Sequence, residues 1–567
     1  MTGPWASRFA RIVLLSGAGV IVLASSADCA LRISGASGDS VSQSAAASAP
    51  DSLRVYTLPP VVTTTTRAPV LRVPPASRTV LDRAWLRRTD PINLGHALLP
   101  VAGIRMVDLG DGAGQSVSLR GFRSDRVAIL VDGRPRNTAQ GGGVDLSLLD
   151  LEALDRVEIT RGAQSANAGL YALGGSVNLV RRRDRAPESA FRVLAGTEDR
   201  ALLQGSTGWA SGRATVEGGF RAERAEPHAG TLPGRMTAGS GHLLAAIHPR
   251  WAEALETSVE LSADTRGVPG SRDFPTPNAE REDRFVETAL RANGVSLGHV
   301  PGQVSADVAW STFRREFRDP THPLGAIDER HTNRRLCATA AWNTAGDHST
   351  FGSRVEAGTD QLESSTDGAR SRNRAAWSAE GSLETGAWSV SALARLDWVE
   401  GFTGAPGARV GAARTWQDDS PTTWTLRAGA GTGFRPPTFD DLFWPARGSA
   451  SGNPGLQPER AWDADLALGV TGTEARAQVG VFVSRIDDLI QWVPGSDGVW
   501  RPHNVGRAAI HGVEGDLSWG LATGPVLWPL DACSRPAHAS VRATPPATPS
   551  PGASNWWHVP RPTALRS

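Results

Sequence analysis

Beyond Arg183 the chain repeats one pattern: apolar and polar side chains alternate with a period of two, and Gly-, Pro- and Asp-rich breaks interrupt the runs. Val216, Gly218, Phe220 and Ala222 share one face, with Glu217, Arg221 and Glu223 on the other. Val390, Ala392, Ala394, Leu396 and Trp398 alternate with Ser391, Leu393, Arg395 and Asp397. Trp424, Leu426, Ala428 and Ala430 alternate with Thr425, Arg427 and Gly429. Successive side chains of a strand point to opposite faces, so each run predicts a strand with one apolar and one polar face. A soluble sheet with its apolar face buried fits this pattern. So does a membrane barrel whose apolar face meets lipid while its polar face lines a wet lumen. Periodicity alone does not choose between them.

Upstream the texture is mixed. Asn93 to Leu99 predicts a short helix capped by Asp90 or Asn93, leading into an extended run from Val101 to Val107. Asp150 to Leu154 predicts a helical turn. Strand-like runs at Val127–Val131, Val157–Thr160 and Val177–Val180 are cut by Asp132-Gly133, Arg161-Gly162 and Gly174-Gly175, where turns with positive φ cost little. Helices and strands together indicate a separate α+β domain over residues 70–183.

The chain opens with Arg8 and Arg11, an apolar run from Ile12 to Ala24, and small residues to Ala27. That is the layout of a secretory signal peptide over residues 1–27, with an apolar run short for a membrane span. Residues 28–69 are first a Ser/Ala/Gly-rich tether and then an extended Pro- and β-branched segment, Leu58-Pro59-Pro60-Val61-Val62-Thr63.

Composition removes some classes. A net charge of +1 offers no field for nucleic acid. The three cysteines, Cys29, Cys337 and Cys533, have no zinc spacing. No GxGxxG in strand–helix context, GxSxG elbow or HExxH is present, so neither an enzyme nor a cofactor is indicated. Both tyrosines precede the alternating region, so any aromatic girdle there falls to the 19 Trp and 14 Phe.

The set Ser118-Leu119-Arg120-Gly121-Phe122, Val131-Asp132-Gly133-Arg134, Arg156-Val157-Glu158-Ile159 with Arg161-Gly162, and Leu173-Gly174-Gly175 resembles the plug domain of TonB-dependent outer-membrane receptors. Downstream, Gly433-Phe434-Arg435-Pro436-Pro437, Gly452-Asn453-Pro454-Gly455-Leu456-Gln457-Pro458-Glu459 and Asn504-Val505-Gly506 resemble their barrel signatures, in family order. The resemblance implies a mainly β fold: a transmembrane antiparallel barrel of roughly 22 strands around a small plug. It implies outer-membrane lipid as surroundings and a small-molecule ligand, cobalamin or an iron chelate, as cargo. It implies TonB and its inner-membrane energising complex as partners.

Leu58 to Thr63 then resembles the TonB box, which adds as a strand to its partner; an ordinary extended linker has the same composition. Gly121, Gly133, Gly162, Gly174 and Gly175 read as turn positions. Arg120, Arg134 and Arg161, with Asp132, read as polar groups of a domain in a wet lumen, available to pair with wall acids as weak, exposed ion pairs. The flexible loop Asn137-Thr138-Ala139-Gln140-Gly141-Gly142-Gly143 supplies the ligand-binding candidates Asn137, Thr138 and Gln140, although a plain connecting loop reads the same way. It resembles the plug of cobalamin-type receptors more than that of siderophore receptors.

The end departs from the family. At roughly 20 residues per strand and turn, Ala190 to Leu521 holds about 16 or 17 strands, about five short. Residues 522–567 are Pro-rich and without period, which predicts a disordered tail, a lost reading frame near position 521 and an incomplete barrel. An open edge leaves backbone groups unpaired in lipid. A passive porin, an adhesin barrel or a non-functional truncated receptor are the competing readings.

Overall fold

The computed structural model describes residues 77–108, 114–183, 189–197, 199–226, 235–268, 276–298, 300–322, 325–417, 421–446, 450–473, 475–521, 528–533 and 542–544. The proposed TonB box lies outside these residues.

Seven strands build the first domain: β1 (Arg78–Asp82), β2 (Ile104–Asp108), β3 (Gln115–Leu119), β4 (Val127–Val131), β5 (Arg134–Pro135), β6 (Leu154–Arg161) and β7 (Gly175–Arg181). Five form a sheet in the order β1-β6-β7-β4-β5, while β2 and β3 pair separately. The β4–β7 pair is parallel and the others antiparallel. Helix α1 (Arg83–Thr89) starts where the Asp82 carboxylate accepts the Trp85 N–H, and α2 (Leu94–Leu98) where Asn93 accepts from His96 N–H. Asn93 is thus the cap of the expected helix, and Asp90 terminates α1 instead. Helix α1 is an additional element, closed by the αL residue Asp90. The turn expected at Asp150–Leu154 is present as one hydrogen-bonded turn, with Leu154 N–H donating to the Leu151 carbonyl at 3.0 Å, and a 3-10 turn at Leu146–Leu148, where Asp145 accepts from Ser147 N–H, precedes it. Leu154 already belongs to β6. A third short helix, α3 (Ser165–Ala168), follows β6.

From Ala190 to Leu521 the chain forms antiparallel strands, each paired with its neighbour in sequence apart from one external hairpin, Ile490–Pro494 with Trp500–Asn504. Sixteen wall strands lie in this range, within the number its length allows. Two short segments, Trp528–Cys533 and Arg542–Thr544, pair with Arg507–Leu521, and the sheet closes into an eighteen-stranded barrel among the described residues. The strand count falls below the family's roughly 22, and among the described residues the closing segments pair with Arg507–Ala509 and Asp516–Leu521, which covers the expected open edge in part. Segments of six and three residues are too short to display a period, so the sequence could not announce them.

The direction of the alternation decides between the two architectures. Leu396 and Trp398 are 55% and 50% exposed, whereas Arg395 and Asp397, which alternate with them, are 3% and 7% exposed. Val216 and Phe220 likewise face out while Glu217, Arg221 and Glu223 are buried. A soluble sheet buries the opposite face; charge inside and Leu, Val and Trp outside is the arrangement of a wall in lipid. No helix among the described residues is long and apolar enough to cross a membrane; this wall crosses with strands.

The first domain fills the lumen. Its core, including Leu94, Leu119, Ile129, Ile159 and Val177, is continuous with wall residues Phe482, Ile486 and Ile510.

Candidate functional site

The plug is seated by charge pairs across its boundary with the wall. Arg120 donates from Nε and Nη2 to the two carboxylate oxygens of Glu514, both at 2.9 Å. Arg161 approaches Glu514 at 3.6 Å and donates to the Ala102 carbonyl at 2.8 and 3.0 Å. Arg134 meets Glu287 at 3.0 Å and Asp307 at 3.3 Å. Arg126 donates to Glu459 at 2.6 and 3.0 Å, and Arg435 of the wall joins Glu459, Asp125 and Asp441 within 3.4 Å. These pairs are not the exposed ones expected: both partners of Arg120–Glu514 and Arg134–Glu287 are at least nine-tenths buried. Because the plug displaces the lumen water, each pair is desolvated, and removing one partner strands the other charge.

Asp132 turns the β4–β5 hairpin. It has φ +51° and Gly133 +82°, and Gly133 N–H donates to Asn178 Oδ1 at 3.0 Å. Burial by itself would raise its carboxyl; Arg183 and Arg181 outweigh it and hold the group well below the usual carboxylate range. Gly121, Gly162 and Gly175 also take positive φ. Gly174 does not. It is small because the Phe122 ring lies against it: a Cβ there would come within 2.4 Å of the Phe122 Cβ.

Connections at one end of the barrel are long, as at 268–279, 436–458 and 488–506, and those at the other are tight, as at 212–213 and 386–387. In outer-membrane barrels the long loops face outward. At this end a cavity of about 620 Å³ opens above the plug. Thr138 and Gln140 stand on its floor, while Phe285, Phe313, Asn333 and Arg335 line its wall. Gln140 accepts from Asn333 at 2.9 Å. The plug loop is also held from above by α4 (Phe439–Phe443), whose Phe439 and Asp440 N–H groups donate to the Ala139 and Gln140 carbonyls at 2.9 and 3.0 Å.

Asn137 touches the cavity but is committed elsewhere. Its side chain accepts from Ile129 N–H at 2.9 Å and donates to the Val127 and Gly142 carbonyls at 3.0 and 2.8 Å. It holds the loop's shape, which leaves Thr138 and Gln140 as the presented side chains. Sequence reasoning missed Arg136, whose guanidinium lies 4.2 Å from the Phe285 ring centroid, and the pairing role of the acids Glu287, Glu459 and Glu514. The available signal was a carboxylate on the polar face of an alternating strand.

Residues 71–176 match the family described as TonB-dependent Receptor Plug Domain, and residues 248–545 match TonB dependent receptor-like, beta-barrel. The chain is 27% identical over 456 residues to the vitamin B12 transporter BtuB of Photobacterium profundum, covering 76% of this chain and 71% of that one. It is 26% identical over 517 residues to the iron-regulated outer membrane virulence protein of Vibrio cholerae, covering 81% and 75%. The ferric enterobactin receptor of Pseudomonas aeruginosa, solved with enterobactin, superposes with a TM-score of 0.66 at 16% identity, covering 81% of this chain and 80% of that one. The hemophore receptor HasR of Serratia marcescens superposes with a TM-score of 0.65 at 14% identity, covering 79% and 80%. With plug and wall both matched and the polar face turned inward, the chain belongs to the TonB-dependent receptors, non-enzymatic transporters of the Gram-negative outer membrane.

Proposed function

We propose that this receptor takes up cobalamin or a ferric siderophore, capturing it in the outer cavity over Thr138 and Gln140 and importing it when TonB engages the segment Leu58–Thr63. The observation that carries the reading is the cavity itself: about 620 Å³, on the long-loop side, floored by the plug and walled by both charged and aromatic side chains. The similarity to a vitamin B12 transporter supports cobalamin; the similarity to an iron-regulated outer-membrane protein keeps an iron chelate beside it. Binding requires no resident cofactor. Energy from the inner-membrane complex reaches the plug through the box as strand addition followed by pulling.

Cells carrying the chain should be offered radiolabelled cyanocobalamin and ferric enterobactin separately. One of the two is bound and accumulated; deletion of Leu58–Thr63 abolishes accumulation and leaves surface binding intact. Accumulation that survives the deletion makes the chain a passive pore. Binding of neither probe refutes the proposed ligand class.

A further inference from the structure

We propose that cargo crosses this barrel along one seam, between the plug and the inner faces of strands Gln303–Asp319, Ile327–Ala345 and Ser349–Ser364, with the Arg335–Asp360 pair as its upper gate. The inference rests on the transport reading above and adds the route.

Three cavities stack along this wall. The outer one reaches Asn333 and Arg335; a second, of about 50 Å³, is lined by Arg335, Cys337 and Thr339; a third, of about 20 Å³, by Ala341 and Asn343. These wall residues are the successive inward positions of a single strand, Ile327–Ala345. Ten residues at about 3.3 Å each span roughly 33 Å of strand, or about 25 Å of height at a tilt near 40°, the height of an outer-membrane barrel's apolar band. Adjacent cavities share walls. The first two have Pro135, Arg335 and Asp360 in common, and the last two Asn167 and Arg354. The lower two have room for one to a few water molecules, so the seam is narrow at rest.

Each junction is closed by charge. Arg335 donates to Asp360 at 2.5 Å and, from its other two nitrogens, to the Pro135 and Asn137 carbonyls at 2.9 and 2.8 Å. One guanidinium therefore staples the plug loop to the wall between the first and second cavities. At the lower junction Arg354 meets Glu356 at 3.3 Å, and Arg395 caps the same carboxylate at 2.9 and 3.0 Å.

The wall next to the seam is built differently. There α3 packs on strands Trp388–Val399, Ala405–Gln417 and Thr423–Arg435. The wall is glycine where the plug approaches: a Cβ on Gly431 or Gly433 would lie 2.9 Å from the Ala163 carbonyl or the Leu173 side chain. Ser165 receives the Phe434 N–H at 2.9 Å. Close apolar contacts lose their partners outright when parted, whereas separated charges regain hydration. Force on the plug loop therefore parts the Arg335 staple while the close-packed contacts of α3 hold, so that the stacked cavities join along this side.

Two arms test this, both on the full chain with Cys29 and Cys533 replaced by serine so that Cys337 is the sole thiol. In planar bilayers, the purified Arg335→Ala/Arg354→Ala protein should conduct small ions at least several-fold above its parent, and a cationic methanethiosulfonate reacting with Cys337 should close that current. Heat-modifiable electrophoretic mobility confirms the barrel is folded. An absent current, or one indifferent to the reagent, overturns the route. In cells, Cys337 should be labelled at least tenfold faster with the energising complex active than after a protonophore. A Cys337→Ser/Ala413→Cys protein, with its thiol four strands away on Ala405–Gln417, should stay unlabelled. Equal labelling in both conditions, or labelling of the Ala413 position instead, overturns the route. Should energisation change nothing and the box deletion also leave uptake unchanged, the transport reading fails, and the bilayer arm still judges the seam.

Discussion

Arg126 of the plug and Glu459 of the wall form a two-point ion pair, 2.6 and 3.0 Å, around a carboxylate with no solvent exposure. The same carboxylate accepts from Arg435 at 3.1 Å and from the Ile490 N–H at 2.7 Å. One acid therefore ties together the plug, the wall and the external hairpin.

Removing Arg126 takes away the two-point partner of a fully buried carboxylate and leaves Arg435 as its remaining cation. Arg126→Met should destabilise plug seating by about 3–5 kcal/mol, read as increased protease cleavage of the plug in detergent. Glu459→Leu also deprives Arg435 and the Ile490 N–H of their acceptor, so the double variant should cost less than the sum of the singles without regaining the parent's stability. A double variant worse than the sum of the singles contradicts the pairing.

On the outer face, Leu290 is 61% exposed at mid-strand in Glu280–Ser296. In lipid, Leu290→Arg should cost about 2–4 kcal/mol in unfolding from vesicles, whereas in a water-facing sheet the same change is close to neutral. A neutral result places this face in water.

Within the plug loop, structure and ligand contact separate by residue. Asn137→Ala strands backbone groups of Val127, Ile129 and Gly142 and should lower plug stability by about 1–3 kcal/mol. Thr138→Val and Gln140→Leu should leave the thermal transition in place and weaken binding of whichever probe the receptor accumulates. A Gln140→Leu protein with unchanged affinity and unchanged stability removes Gln140 from the site.

Helix α4 carries a pH dependence. Burial, reinforced by Asp367 and Asp441 and opposed by His331 and a hydrogen bond with Gln140, pushes the Asp440 carboxyl up to about 7. The folded state holds this proton between roughly pH 4, the ordinary carboxylate value, and about 7. Its contribution to stability is therefore present at acidic pH and declines across that window. Proteolysis of the 436–458 loop should be faster at pH 8 than at pH 5.5. Asp440→Asn should flatten the difference, and an unchanged pH profile in that variant rules Asp440 out as its source.

Much of the plug was legible along the chain because its turns are local. Asp132-Gly133 marks a hairpin from two residues, and Asn93 announces a helix from the three that follow. The wall strands were legible because alternation is a property of one strand. The partners of Arg120, Arg134 and Arg161 were not: Glu514 lies 394 positions from Arg120 and Glu287 153 from Arg134, and nothing local links them. Asn137 misled for a related reason, since a polar residue in a glycine-rich loop reads alike whether its amide holds the loop's own backbone or a ligand.

The sequence by itself determined where the chain is extended, where it turns, and which residues of each strand share a face, since these follow from backbone geometry within a few residues. Only the tertiary structure decided that the polar face points inward and that the plug's arginines are buried against wall acids. It also decided that two unannounced short strands close the sheet. Each of those depends on what lies across the lumen or beyond the wall, and a strand's period is the same whether water or lipid is on its far side.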